Sequence, residues 1–236
     1  KGDLHHDREE WQAALESYQK AENAGEYSGH LYASMGSTYI RLGQPAAARA
    51  ALKKAQEAEP DHPDAHYNLG VLLQSEGSLI GAEAQYRAAI QADPSDPAFH
   101  TNLGSLLSQT GRHREAIPAL RKALALIPAL ALRQGILPPP FQATARAAAL
   151  YNLGTAQLGL GQLSEAISAL EEAVRLAPAM ALVYQNLGEA YFRKKNWAKA
   201  QRTYETLKAI RGELQPPLAA RLEQLTHTLG HSSRKF

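Results

Sequence analysis

Four asparagines stand in identical Asn-Leu-Gly tripeptides, and their side chains could recognise another polypeptide. They are Asn68, Asn102, Asn152 and Asn186. An amide carries both a hydrogen-bond donor and an acceptor, so it can pair with the C=O and N–H groups of an extended peptide whatever that peptide's sequence. Repeated on successive helices, such amides would form a ladder. The alternative is that each asparagine bonds the backbone of a neighbouring helix.

Other kinds of chemistry find little support in the sequence. His66 and His100 occupy equivalent places one repeat apart, and His62 precedes His66 by about one helical turn. Histidine is a common zinc ligand, but its more frequent place is at a groove edge or half-buried in a core. We therefore expect no metal and no cofactor. No nucleophile–base pattern, carboxylate pair or phosphate-binding glycine loop stands out, and we expect no enzymatic activity.

The glycine of the tripeptide recurs at a fixed interval. The spacing from Gly36 to Gly70 equals that from Gly70 to Gly104, and also that from Gly154 to Gly188. The gap from Gly104 to Gly154 is longer than one period, which indicates an insertion between the two groups. A period of about 34 residues is typical of a solenoid, and a solenoid usually presents a binding surface.

Each period predicts two helices joined by a tight turn. A second glycine near the middle of the period suits the end of the first helix, and a proline near its end stops the second. Alanine recurs with the same period, at Ala14, Ala48, Ala82, Ala116, Ala166 and Ala200. Small residues belong where two helices approach closely, because a larger side chain would force them apart.

These recurring positions resemble those of the tetratricopeptide-repeat family. The resemblance implies an all-α, right-handed solenoid of helix-turn-helix repeats that forms one continuous array. The full repeats are then 29–62, 63–96, 97–130, 147–180 and 181–214. The remaining parts are a partial repeat at 1–28, a proline-rich insertion at 131–146, a capping helix at 215–230 and a tail at 231–236. In the partial repeat, Asp7 and Glu10 form a capping pair for a helix.

The insertion is the one local departure from the array. Its three consecutive prolines, Pro138 to Pro140, favour polyproline II over a helix interior. One interpretation is an exposed loop that tolerates insertion. The other is that Ile136, Leu137 and Phe141 fold back to close the groove or form a second docking point.

The family resemblance also implies a binding groove lined by the first helix of each repeat. Its proposed peptide-binding residues are Asn68, Asn102, Asn152, Asn186, Tyr67, Thr101, Tyr151, Arg41 and Arg193. The asparagines resemble the ladder in the repeat superhelix of O-linked N-acetylglucosamine transferases. The co-chaperone type of repeat domain clamps a carboxylate with a Lys and an Asn in one repeat. No repeat here has that pair, so we do not expect a carboxylate clamp.

Charge is unevenly placed although the net charge is only +2. Residues 193–236 contain ten Lys and Arg against three Glu, whereas residues 1–26 contain seven acidic residues against three basic ones. Complementary ends could bind head to tail, and a basic end could also dock on an acidic partner. Cysteine is absent, which fits the cytoplasm and the bacterial periplasm equally well. No signal peptide and no membrane span is visible, so compartment stays undecided.

The sequence therefore predicts a non-catalytic scaffold that binds a protein or an extended peptide in its concave groove. One alternative is a substrate-recruiting or regulatory segment of a larger enzyme, such as a glycosyltransferase. Another is a self-assembling scaffold, a homo-oligomer joined through the solenoid ends. We expect no nucleic-acid partner and only indirect contact with a membrane.

Overall fold

The computed structural model describes residues 2–127 and 140–232, and every regular element in these ranges is an α-helix. The predicted all-α class is confirmed. In chain order the helices are α1 Gly2–Asn23, α2 Gly29–Arg41, α3 Pro45–Ala58, α4 Pro63–Ser75, α5 Leu79–Ala92, α6 Pro97–Gln109, α7 His113–Leu126, α8 Pro140–Gly159, α9 Leu163–Leu176, α10 Ala181–Arg193, α11 Trp197–Arg211 and α12 Pro216–Ser232. None of these described helices is both long and apolar enough to cross a membrane.

The chain divides into two compact units, Lys1–Leu106 and Leu107–Phe236. In the first unit α1 packs on α2, α2 pairs with α3, and α4 pairs with α5 and also contacts both helices of the preceding pair. In the second unit α8 packs on α7 and pairs with α9, while α10 pairs with α11 and contacts α9. The predicted capping helix is α12, which packs on α11. One continuous array over both units remains a prediction.

In four of the helical pairs, a glycine on the first helix contacts a large side chain of the second helix. A Cβ on Gly70 would lie 2.7 Å from the ring of Tyr86, and one on Gly188 would lie 2.4 Å from the ring of Tyr204. The recurring alanines from Ala48 to Ala200 are completely buried. Close approach of the paired helices therefore explains why these positions hold small residues.

The turn inside each pair uses a left-handed backbone conformation. Gly43, Gly77, Gly111 and Gly161 have φ between 70° and 81°, and Lys195 occupies the equivalent place with φ of 61°. Glycine adopts this conformation without steric cost, whereas a residue with a Cβ does not. The last turn of this kind is therefore strained.

Two helix boundaries differ from the sequence prediction. Helix α1 begins at Gly2, so Asp7 lies inside the helix and does not cap it. The segment before Asp7 contains no proline, and the helix continues through it.

Helix α8 begins at Pro140, so residues 140–146 of the predicted insertion are helical. Proline is favoured in a first helical turn because its missing N–H needs no partner there. Arg146 then ties α8 to its neighbours, since it pairs with Glu172 at 3.0 Å and donates to the Leu124 carbonyl at 3.3 Å. Ile136 and Leu137 lie outside the described residues.

Candidate peptide-binding site

The four tripeptide asparagines occupy equivalent places of the repeat on α4, α6, α8 and α10, and all four are half-buried. Three of them use Nδ2 to bond the first helix of the preceding repeat. Asn68 donates to the Ala33 carbonyl at 3.3 Å. The predicted bond to the backbone of a neighbouring helix is therefore present for Asn68, whereas Asn102 and Asn186 bond side-chain hydroxyl groups of a neighbouring helix.

Asn102 bonds a tyrosine that belongs to an aromatic cluster in the first unit. Its Nδ2 donates to the Tyr67 hydroxyl at 2.7 Å. The Tyr67 ring lies 5.0 Å from the Phe99 ring and 6.0 Å from the Tyr86 ring, centroid to centroid. Burial raises the pKa of Tyr67, and the hydrogen bond from Asn102 opposes that rise. Tyr67 therefore stays neutral and packs against the buried rings of Tyr86 and Phe99.

In the second unit, an asparagine again bonds a hydroxyl group of the preceding repeat, and that hydroxyl in turn bonds a backbone carbonyl. Asn186 Nδ2 donates to Thr155 Oγ1 at 2.8 Å, and Thr155 Oγ1 donates to the Tyr151 carbonyl, also at 2.8 Å. Asn152 and Tyr151 are half-buried on α8. Among the described residues, Asn152 has no hydrogen-bond partner, which distinguishes it from the other three asparagines.

The other predicted contact residues are anchored within the chain. Thr101 Oγ1 donates to the Pro97 carbonyl at 2.8 Å. The Arg41 guanidinium stacks 5.4 Å from the centroid of the Trp11 ring. Arg193 Nη1 donates to the Leu158 carbonyl at 2.8 Å and so satisfies a carbonyl in the last turn of α8. Both arginines remain exposed to solvent.

The Oδ1 atoms of the four asparagines, unlike three of the Nδ2 atoms, make no hydrogen bond with the described residues. In the described part of the chain no group donates to Oδ1 of Asn68, Asn102, Asn152 or Asn186, and none of these atoms is buried without a partner. Within the described chain each oxygen therefore remains available to accept an N–H from an external peptide. Where Nδ2 is bonded to the preceding helix, the amide plane is held in place.

His66 and His100, which occupy equivalent positions one repeat apart, bond different groups. His66 Nδ1 lies 2.8 Å from Gln85 Oε1, and His100 Nε2 lies 2.9 Å from the Pro94 carbonyl. Within the described ranges, potential metal ligands lie close together instead at His30, His62 and Asp64, with one ligand atom of each within 4.8 Å of the others. Sequence reasoning missed that group because His30 and Asp64 are one full repeat apart, and only the stacking of repeats brings them together.

Comparison with known families agrees with this architecture. Models of the tetratricopeptide repeat match residues 34–97, 81–131 and 157–225. The chain is a tetratricopeptide-repeat protein. The matched ranges contain three of the four tripeptide asparagines, and the predicted solenoid fold class is confirmed.

Solved structures of similar fold extend over most of this tetratricopeptide-repeat protein. MamA from Desulfovibrio magneticus RS-1, residue 41 to its end, is 25% identical with a TM-score of 0.63, over 77% of this chain and 94% of that one. PilF of Pseudomonas aeruginosa is 22% identical with a TM-score of 0.68, over 92% and 90%. YrrB, described as a tetratricopeptide protein with an unusual peptide-binding site, is 20% identical with a TM-score of 0.66, over 89% and 99%. A search among curated proteins gave no match.

Proposed function

We propose that this protein is a non-catalytic interaction scaffold that binds an extended peptide segment of a protein partner along the first helices of its repeats. The observation that carries the proposal is the set of asparagine oxygens that accept no hydrogen bond within the described chain. An extended peptide presents N–H groups at regular intervals, and these groups are the complement of such oxygens.

Preorganisation supports this function. Three amides are already fixed by a bond from Nδ2 to the preceding helix, so their oxygens lose little freedom when a peptide binds. Each amide also keeps a second N–H that can donate to a peptide carbonyl. The structural bond and the peptide bond therefore use different atoms of one side chain and do not compete.

The neighbouring side chains favour a peptide segment with little charge. Tyr67, Thr101 and Tyr151 are neutral, and each is half-buried beside an asparagine. The positive charges of Arg41 and Arg193 lie in the last turn of their helices, at the edge of the face. A bound segment would place neutral residues along the asparagines and acidic ones towards an arginine. YrrB, which shares this fold, is described as having a peptide-binding site.

Self-association is a second candidate, and it is favoured by an apolar residue near the acidic end. The Trp11 side chain is 36% exposed although it is large and aromatic. Exposed aromatic surface beside opposite charges on another copy would support a head-to-tail contact.

Asn152→Ala tests the peptide-binding function best because Asn152 bonds no described residue, so its loss should not loosen the fold. Peptides would first be selected from a random phage library on the wild-type protein, and their affinities measured by fluorescence anisotropy. Loss of one hydrogen bond should weaken binding by roughly 0.5–1.5 kcal/mol, about two- to tenfold in Kd. Asn23→Ala is the matched control, because Asn23 is an exposed asparagine at the end of α1.

The outcome can contradict the proposal in two ways. Equal affinity of the selected peptides for wild type and Asn152→Ala would remove the asparagines from the binding site. Failure to enrich any peptide would argue against extended-segment binding altogether. Circular dichroism of each variant shows that the helices are intact.

A further inference from the structure

Two helix starts in the first unit bring potential metal ligands together. His30 is the second residue of α2, His62 is the N-cap of α4, and Asp64 is the second residue of α4. One ligand atom from each of the three lies within 4.8 Å of the other two. The rings of His30 and His62 are 6.1 Å apart, centroid to centroid, and inclined by 38°.

His62 departs from what the same position does one repeat earlier and one repeat later. Ser28 caps α2 by accepting from the Leu31 N–H at 3.1 Å, and Asp96 accepts from the Ala98 N–H at 2.7 Å. His62 makes no capping hydrogen bond at the start of α4. The His62 side chain therefore does not cap its helix, in contrast to Ser28 and Asp96 at the equivalent positions.

The imidazole of His62 is instead buried with an unsatisfied nitrogen. The residue is only 7% exposed, and its Nδ1 is a buried atom without a hydrogen-bond partner. Buried polar atoms in folded proteins almost always have a partner, so an orphaned one needs an explanation. One ring nitrogen of His62 lies within 4.8 Å of a ligand atom of His30 and of one of Asp64, so a metal ion is a partner that this imidazole can take.

We propose that His30, His62 and Asp64 form a binding site for a divalent first-row transition metal, with Zn²⁺ as the best fit. Two imidazole nitrogens and one carboxylate oxygen are a common ligand set for zinc, and the fourth position is left to water or a partner side chain. Calcium and magnesium prefer oxygen ligands and would gain little from two histidines. None of these three residues belongs to the proposed peptide-binding set.

Small side-chain movements bring the ligand atoms to zinc geometry. Ligands around tetrahedral zinc lie about 3.3 Å apart, because each bond is about 2.0–2.1 Å long. His30 and Asp64 both reach solvent, so their side chains can rotate towards the ion. His62 is held by its burial and fixes the position of the site.

A cation at this site needs nearby negative charge, because the N-termini of two helices are close to it. The N-termini of α2 and α4 both carry partial positive charge, which disfavours a cation. The Asp64 carboxylate lies in the first turn of α4. A second carboxylate is close, since Glu59 Oε2 and His62 Cδ2 come within 2.8 and 3.0 Å of where a Cβ on Gly29 would lie. The absence of a side chain at Gly29 allows both groups to pack there.

Zinc titration by calorimetry on tag-free protein tests the site, in a His5→Gln, His6→Gln background that removes the adjacent histidines of the N-terminus. The expected result is one Zn²⁺ per chain, with affinity at least tenfold weaker in His30→Ala and in Asp64→Asn. His66→Gln is the matched control, since it removes a histidine from the same helix outside the cluster, and its affinity should equal that of the parent. Co²⁺ substitution should give the visible absorption of a tetrahedral site.

A second variant separates metal binding from loss of folding. His62→Phe removes the unsatisfied nitrogen while keeping an aromatic ring, so the metal-free variant should be at least as stable as the parent. Zn²⁺ should raise the Tm of the parent but leave that of His62→Phe unchanged. No saturable zinc binding to the parent, or equal zinc stabilisation of His62→Phe, would overturn the proposal.

Discussion

Asn102 and Tyr67 are joined by a hydrogen bond of 2.7 Å that runs from the amide of one repeat to the hydroxyl of the preceding one. The bond links α6 to α4 at a place where both side chains are half-buried. It connects two residues that the sequence assigned to a peptide-binding face, and it gives both of them a structural role as well.

The bond predicts coupled losses of stability. Asn102→Ala and Tyr67→Phe should each lower the free energy of unfolding by roughly 0.5–1.5 kcal/mol, because each removes one partner of a partly buried hydrogen bond. The double variant should lose less than the two single losses together. Urea unfolding of the four proteins measures this cycle. Strictly additive losses would mean that the bond contributes nothing to stability.

Ala116 and Ala166 should not tolerate a larger side chain, because they lie where paired helices approach most closely. Both are completely buried. Replacement of either by Leu should cost about 1–3 kcal/mol of stability through overpacking. Ala198→Leu makes the same chemical change at an exposed position of α11 and should be nearly neutral. Thermal unfolding compares the three, and unchanged Tm values for the buried variants would contradict the assigned repeat phase.

The left-handed turn at Lys195 predicts a stabilising substitution. Four equivalent turns use glycine, whereas Lys195 has φ of 61° with a Cβ in place. Lys195→Gly should raise the free energy of unfolding by about 0.5–1 kcal/mol, since relief of strain exceeds the added freedom of the unfolded chain.

Lys194→Gly is the control for that substitution. Lys194 has φ of −78°, so glycine there gives no relief and should destabilise. Urea unfolding distinguishes the two neighbours. A loss of stability in both variants would show that the turn at Lys195 carries no strain.

Acid pH should weaken an ion pair in the first unit. Lys54 Nζ lies 2.7 Å from Glu22 Oε1, and the Tyr32 hydroxyl donates to the same oxygen at 3.1 Å. The hydrogen bond from Lys54 is the main cause of a lowered pKa at Glu22, and that from Tyr32 adds to it against the effect of burial. The stabilisation is therefore fully present above the ordinary glutamate pKa of about 4.3 and is lost as pH falls through the lower folded-state value.

Glu22→Gln isolates this contribution. The variant should be less stable than wild type at pH 7, and the difference should vanish as pH falls through the carboxylate range. Urea unfolding at several pH values gives the difference while other carboxylates cancel between the two proteins. A difference that stays constant down to acid pH would show that Glu22 acts by packing and not by charge.

Self-association should depend on Trp11 and on salt. Contact through the ends would pair the acidic N-terminal segment with the basic C-terminal segment of another copy, and such an attraction is screened over about 10 Å at 0.1 M salt. We expect larger species at low salt and high protein concentration, and fewer of them with Trp11→Asp. Sedimentation velocity is the measurement. A monomer under all of these conditions would exclude association through the ends.

The repeated small residues made the fold predictable, because Gly70 and Ala82 report helix contacts that recur once in every repeat. The start of α8 at Pro140 was missed, since a proline triplet predicts both the end of a loop and the first turn of a helix. The family pattern predicts that the asparagines lie on the first helix of each repeat, and they do. It does not predict which group each amide bonds, because that group differs from repeat to repeat: Asn102 bonds the hydroxyl of Tyr67, and Asn186 bonds that of Thr155.

The glycine contacts within the helical pairs also bear on how this chain folds. The contacts are Gly36 with Leu52, Gly70 with Tyr86, Gly154 with Leu170 and Gly188 with Tyr204. Each closes a segment of the same short length, so little chain entropy is lost before the contact forms. Local contacts of this kind favour rapid folding, and each pair then depends mainly on its immediate neighbours. Unfolding should accordingly begin at the terminal helices and spread inward one pair at a time.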